Sequence, residues 1–220
     1  MPGLPRPTAI VFDLDGTLVD TVGARIGGWS AAAAEAGIPA TEAQIKPMIG
    51  MDGRRLAREL AAAAGIALDH DRAEELDRRA GELFDERNRD PRPLPGATAV
   101  LERLDAAGMT WAIATSSRPE QVRTSLDALA LSDEPPLVDG HAVEHAKPAP
   151  DLLLFAARQL GVDPGRAWYV GDSTWDMRAA VAAGMRPVGV LAGAAVQADE
   201  LRQAGASVLL DTLDELVVPD

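Results

Sequence analysis

Ile10-Val11-Phe12-Asp13-Leu14-Asp15-Gly16-Thr17-Leu18-Val19-Asp20 is the stretch that decides the fold. Its first half is a short apolar run rich in branched residues, which reads as a buried strand of a parallel sheet. Gly16-Thr17 breaks the run, so Asp13 and Asp15 fall at the carboxyl end of that strand, where open α/β sheets present ligands to a crevice. Alternation along an extended segment points both acids to one face, and two bare carboxylates at such range repel by several kcal/mol. A divalent cation, or a proton held by one acid, offsets that repulsion, and either is a route to catalysis.

Working outward, short apolar runs recur after residue 90. Met109–Thr115, Ala167–Gly171, Pro187–Leu191 and Ser207–Leu210 read as strands. Between them lie helical stripes: Leu101 and Leu104 before Gly108, then Val122, Leu126 and Leu129, then Leu153, Ala157 and Leu160 before Gly161. This βαβ series predicts a mostly parallel sheet with helices on both faces.

No convincing strand occurs between about residues 21 and 88. Val22, Ile26, Trp29 and Ala33 share a helical face ending at Gly37, and Thr41 with Gln44 forms a capping box. Asp52 is placed to cap a helix carrying Leu56 and Leu60, and Leu76, Ala80, Leu83 and Phe84 make a further stripe. The proline-rich return, Asp90 to Gly96, suits a stiff hinge. The expected fold class is therefore α/β, a Rossmann-like doubly wound parallel sheet with an inserted all-helical cap. Residues 1–17 and 91–220 form the core and 18–90 the cap.

Composition narrows the functional classes. The 220 residues hold 34 acidic and 21 basic side chains, a formal charge of −13, which argues against a nucleic-acid surface. Cys is absent, excluding disulfides, thiolate metal sites and thiol nucleophiles. Neither an apolar leader in Met1–Thr8 nor a run of about 18 apolar residues is present, so a cytoplasmic location without a membrane partner is expected. A small phosphate ester would need a local positive centre, which a bound cation and a few basic side chains supply.

Three later points provide what the two acids lack. Thr115-Ser116-Ser117 ends the second strand at a turn, where hydroxyls and backbone N–H groups can hold an oxyanion. Lys147 precedes a helix started by Pro150, and Asp172 ends another strand with Asp176 four residues on. All fall at strand ends on one edge of a doubly wound sheet. His70, His141 and His145 show no ligand spacing.

With DxDGT, a hydroxyl at a strand end, Lys-Pro-x-Pro-Asp and Gly-Asp-Ser-x-x-Asp in this order, nearly the whole chain resembles the haloacid dehalogenase superfamily of hydrolases. The resemblance implies that Asp13 is a nucleophile forming an aspartyl-phosphate. It makes Asp15 the acid that protonates the leaving alkoxide and then activates water, its backbone carbonyl helping to bind Mg²⁺. Thr115 and Ser116 would bind the phosphoryl, Lys147 would neutralise Asp13 and phosphate, and Asp172 would ligate Mg²⁺. Asp176 would be a ligand through water or an organiser of Lys147. Oxygen-only ligands agree with Mg²⁺. The roles require Asp13 ionised and Asp15 protonated, so their environments must separate their pKa values in that sense.

Asp15 favours phosphatase over the resembling dehalogenases, which lack this second acid. The resembling hexose-phosphate mutases carry a His ten residues after it, where this chain has Arg25, so a phosphosugar mutase is the alternative of the same fold. A phospho-acceptor signalling module is the alternative of a different class. Specificity is expected from the cap, with Arg54 or Arg55 gripping the leaving group, Arg25 or Trp29 at the entrance, and Arg118 as a further phosphate contact. The partner is a small phosphorylated metabolite; monomer and homodimer both stay open.

Overall fold

The computed structural model describes residues 5–139 and 143–218. His141, the first residues of the N-terminal segment and the last two of the expected core lie outside them.

The opening run forms β1 (Ala9–Phe12), every residue of it buried. It is joined by β2 (Thr110–Ala114), β3 (Leu137–Val138), β4 (Ala167–Gly171), β5 (Arg186–Val190) and β6 (Val208–Leu210) in the order β3-β2-β1-β4-β5-β6. All five pairings are parallel. The chain leaves β1 toward β2 and β3, then crosses to β4 on the other side, so β1 stands at the point where strand order reverses. Phe12 pairs with Ile113 and Val170 alike, and Asp13 N donates to Val170 O at 2.8 Å. The residue after β1 is thereby fixed between the ends of β2 and β4.

β3 is an addition to the expected strands. It has only two residues, too few for any alternation to register, and its neighbour β2 is bonded to it partly through Pro136 O.

The helical insertion consists of α1 (Val22–Glu35), α2 (Glu42–Ile45), α3 (Gly53–Ala63) and α4 (His70–Arg87). The local signals act as expected: Gln44 accepts from Thr41 N at 2.9 Å, and Asp52 accepts from Arg55 N at 2.9 Å to cap α3. Apolar stripes from α1, α3 and α4 close into one cluster that includes Trp29, Leu56, Leu60 and Leu76.

Around the sheet lie α5 (Ala97–Ala106), α6 (Pro119–Ala128), α7 (Asp151–Leu160), α8 (Thr174–Ala183) and α9 (Ala198–Gln203). Strand alternation sorts the two faces: Ile10 and Phe12 pack with Val100, Leu101 and Leu104 of α5, whereas Val11 packs with Leu152 and Ala156 of α7 and Ala180 of α8. Both faces are therefore dry, which is why β1 carries no polar residue until its end.

The two segments linking insertion and sheet run side by side. Asp20 N donates to Arg92 O and Leu94 N to Leu18 O, each at 2.9 Å. Among the described residues no helix is long and apolar enough to cross a membrane.

Candidate active site

A cavity of about 470 Å³ lies between the sheet's carboxyl edge and the insertion. Asp13, Asp15, Thr115, Ser116, Lys147 and Asp172 line it from the sheet side, and Arg25, Trp29 and Arg54 from the helices.

Two glycines permit the approach of its walls. Gly16 takes a positive φ of 81°, and a Cβ there would run into the Asp172 carboxylate; Gly50, with φ of 94°, lets the insertion's loop lie against Ser173.

Asp13, Lys147, Asp172 and Asp176 are all buried, none more than 6% exposed. Lys147 Nζ donates at 2.7 Å to Oδ1 of both Asp13 and Asp176. Asp176 is filled with donors: its Oδ1 also accepts from Tyr169 OH at 3.2 Å, and its Oδ2 accepts from Ser173 N at 3.0 Å and Ser173 Oγ at 2.6 Å. Saturated in this way, Asp176 orients Lys147. Asp172 accepts from Thr17 Oγ1 at 2.9 Å, and Asp13 from Lys147. Thr17 is the last residue of the DxDGT motif, though given no role of its own, and Tyr169 has no signal in the sequence beyond its place two residues before Gly171.

Asp13, Asp172 and Asp176 each bring a carboxylate oxygen to a cluster whose atoms lie within 4.8 Å of one another. One ammonium against three carboxylates leaves two negative charges uncompensated in a buried place. Burial, opposed by Lys147 and reinforced by Asp176, pushes the Asp13 carboxyl up to about 7. Burial, with Asp176 and Asp13 adding, holds Asp172 well above the ordinary carboxylate range. Lys147 pays for its burial through those same acids, which keep its ammonium above its ordinary value. An all-oxygen donor set with this charge deficit fits a hard divalent cation.

Asp15 has a different environment. Its Oδ2 accepts from Arg25 Nη2 at 2.8 Å and from the Ser117 hydroxyl, while burial alone would raise it. The Arg25 charge and the Ser117 hydrogen bond outweigh that burial and hold Asp15 below the ordinary range. With protein groups alone, burial leaves Asp13 raised, whereas Arg25 and Ser117 leave Asp15 lowered. The physical reason is burial first, and then that Asp13 shares its one cation with Asp176 in a cluster of three carboxylates, whereas Asp15 has Arg25 to itself. Lys147 beside Asp13 was expected; Arg25 as the cation of Asp15 is an answer to their repulsion that the sequence reading did not contain.

Thr115 Oγ1 accepts from Ser117 N at 3.1 Å, and the buried Ser116 Oγ has no partner among the described residues. A phosphoryl oxygen is the kind of acceptor such a hydroxyl lacks.

The arginines are arranged differently from expectation. Arg118 does not stand free for phosphate: its Nη2 binds Asp77 at 2.5 Å and Glu74 at 3.0 Å, tying the start of α6 to α4. Arg54 lines the cavity paired with Asp52 at 3.0 Å. Arg55 is not among the lining residues; it binds Glu59 at 2.7 Å and lies over the Trp175 ring. Neighbours on a helix are about 100° apart, so Arg54 and Arg55 cannot share a face. His145 is exposed and bonded to Asp151 at 3.0 Å.

Trp175, at the start of α8, donates from Nε1 to Pro47 O at 3.0 Å and packs into the insertion's apolar cluster. It is the sheet side's anchor for the insertion, invisible in sequence because its partners are about 130 residues away.

Fold and site together define the class, an α/β hydrolase of phosphoric monoesters. The chain belongs to the haloacid dehalogenase-like hydrolase family, whose family model matches residues 10–190. It is 30% identical over 96% of its length to the N-acetylmuramic acid 6-phosphate phosphatase of Pseudomonas aeruginosa, covering 94% of that protein. It is 33% identical to the phosphoglycolate phosphatase of Xanthomonas campestris pv. campestris, over 97% of this chain and 96% of that one. Among solved structures, a hydrolase from Pseudomonas syringae superposes with a TM-score of 0.88 at 32% identity, covering 93% of this chain and 94% of that one.

Proposed function

We propose that this chain is a Mg²⁺-dependent phosphatase that hydrolyses a small phosphomonoester in two displacements through Asp13. The observation that carries the reading is the buried pairing of Lys147 with Asp13 and Asp176, beside Asp172, where strand order reverses. Relatives named as phosphatases over nearly the full length support it.

Asp13, Asp172 and the Asp15 backbone carbonyl would hold Mg²⁺, which when bound supplies the positive charge that ionises Asp13 and neutralises phosphoryl oxygens. In the first displacement an Asp13 oxygen bonds to phosphorus as the bond to the leaving oxygen breaks. The Asp15 carboxyl gives its proton to that oxygen, releasing an alcohol. In the second, Asp15 takes a proton from water, the water oxygen bonds to phosphorus, and the Asp13 ester bond breaks to release phosphate. Lys147 stays beside Asp13 throughout, and Thr115 and Ser116 hydrogen-bond the transferred group. The Arg25-bound carboxylate of Asp15 is the form in which the second displacement begins.

Residues 18–90 act as a cap on the core of 1–17 and 91–220. The paired linkers at 18–20 and 92–94 are its hinge, and closure excludes water. The leaving-group half of the cavity offers no unengaged arginine: Arg25, Arg54 and Arg118 are each bound to a protein carboxylate. Withdrawing Arg118 would strand the largely buried Asp77. This favours an uncharged, hydroxylated leaving group over a carboxylate.

Turnover of p-nitrophenyl phosphate with Mg²⁺, abolished by Asp13→Asn, tests the reading. One stable phosphoryl group per chain without turnover would instead make the protein a phospho-acceptor switch.

A further inference from the structure

We infer that Arg25 and Ser117 hold the Asp15 carboxyl by its Oδ2, so that Oδ1 is the atom that exchanges the proton with the substrate; Arg25 is thus a positioning residue that the cap supplies to the acid. The inference rests on the phosphatase reading above and deepens it.

Three bonds form a closed triangle. Arg25 Nη2 donates to Asp15 Oδ2 at 2.8 Å and to Ser117 Oγ at 2.6 Å, and the Ser117 hydroxyl donates to the same Oδ2. Both hydrogens of Nη2 and the serine hydrogen are consumed, so the triangle has one pattern of donors and acceptors. Arg25 is fixed at its other corner as well. Its Nη1 donates to Gln121 Oε1 at 3.3 Å, and its guanidinium lies over the Phe84 ring, 3.7 Å from the centroid. It therefore touches β2's following turn, α6 and α4 at once, which joins insertion to sheet at the acid itself.

The other oxygen is the complement. Asp15 lines the cavity, and its buried Oδ1 has no partner in hydrogen-bond geometry among the described residues; the Thr21 hydroxyl, buried and equally unpaired, is close enough only to help hold the carboxyl low. A buried carboxylate oxygen without a donor is costly unless a partner arrives. With Oδ2 already accepting from two donors, a proton taken up by this carboxyl goes to Oδ1. That is the geometry required of a group that donates to a leaving oxygen and later accepts from water.

The test uses leaving groups of unequal need. p-Nitrophenolate departs without a proton, whereas an alkoxide does not. The full-length enzyme with Mg²⁺ is assayed for kcat/KM, which covers only the steps up to alcohol release. Substrates are p-nitrophenyl phosphate and the best alkyl phosphate from a panel of sugar and polyol phosphates. Arg25→Met should lower kcat/KM for the alkyl ester about 10- to 100-fold and for the aryl ester less than about 3-fold, since general-acid catalysis contributes about 10²–10⁴ in all. Arg25→Lys should recover part of the alkyl loss, and Ser117→Ala, a small change in a turn, should show the same asymmetry if Arg25→Met fails to fold. Asp15→Asn supplies the reference asymmetry. Equal losses on both esters in the Arg25 and Ser117 variants, with Asp15→Asn still asymmetric, would overturn the inference and leave the phosphatase reading standing. Equal losses in Asp15→Asn as well would overturn both.

Discussion

Lys147 and Asp13, 134 positions apart in the chain, meet at 2.7 Å with the Lys147 side chain 1% exposed. No other cation touches Asp13 among the described residues, so this ammonium is the protein's own contribution to ionising the carboxyl group proposed as the nucleophile. Lys147→Met should lower kcat by more than about 100-fold and destabilise the fold by about 3 kcal/mol, the usual consequence of leaving buried partners unpaired. Urea denaturation and steady-state assays check both numbers; a loss of stability below 1 kcal/mol would mean that the acids do not depend on this charge.

Asp172, a metal ligand in the proposed mechanism, carries a cost to the fold, because burial and its neighbours hold it above the ordinary range. At 100 times Kd, Mg²⁺ should stabilise the native protein by about 2.7 kcal/mol, a rise in Tm of about 5–10 °C. Asp172→Asn should melt above the native protein in EDTA and gain almost nothing from Mg²⁺. Thermal scans with and without Mg²⁺ read this without any assay of activity.

Asp77 gives a pH dependence away from the metal cluster. Burial raises its carboxyl above the ordinary 3.8; Arg118 opposes this and Asp52 and Glu74 add to it. A folded-state pKa above the unfolded one means stability that is full below about 3.8 and lost as pH rises through the folded value. Relative to native protein, Asp77→Asn should therefore gain stability between pH 4 and pH 7. Denaturation of the pair at both pH values should show that swing; the reverse swing would refute the assignment.

Trp175 links cap and core through one hydrogen bond and an apolar contact. Trp175→Phe keeps most of the contact but frees Pro47 O, and should cost about 1 kcal/mol. It should also raise KM more than it lowers kcat, because cap closure is weakened while Asp13 and Lys147 are untouched. Steady-state kinetics on the best substrate distinguish this from a loss in kcat alone.

The paired arginines predict substrate charge. Hydroxylated, uncharged leaving groups should exceed phosphoglycolate in kcat/KM by about 5-fold, since displacing the most exposed pair, Arg54 with Asp52, costs up to about 1 kcal/mol. A substrate panel decides it. Preference for phosphoglycolate would require one of Arg25, Arg54 or Arg118 to leave its protein partner.

Much of the architecture was legible before any coordinates. Alternation in Ile10–Phe12, helical stripes and caps such as Asp52 act over a few residues, and their energies are local. The five longer strands announced themselves, whereas β3 has two residues and no period to detect. Asp13, Asp172 and Asp176 could be named because each follows a strand or lies in the first turn of a helix, and Lys147 because it stands in the loop before α7; the topology of a doubly wound sheet brings such ends together.

The arginines show where that legibility stops. Arg118, beside the hydroxyl turn, suggested phosphate, but α4 presents Asp77 and Glu74 to it. Arg25 was expected at the entrance, where a mutase would carry histidine; it does line the cavity, but it is bound to the acid itself. Long cationic side chains pair with whatever carboxylate the packing brings within about 3 Å, and that choice is made between distant segments.

The amino-acid sequence by itself determined the sheet, the inserted helices and the identity of the groups at the strand ends, because period, capping and strand order are properties of neighbouring residues. Only the tertiary structure decided which cation each aspartate received, and hence that Asp13 is pushed up to about 7 while Asp15 is held low. Charge stabilisation depends on distance and burial in three dimensions, and neither quantity is written along the chain.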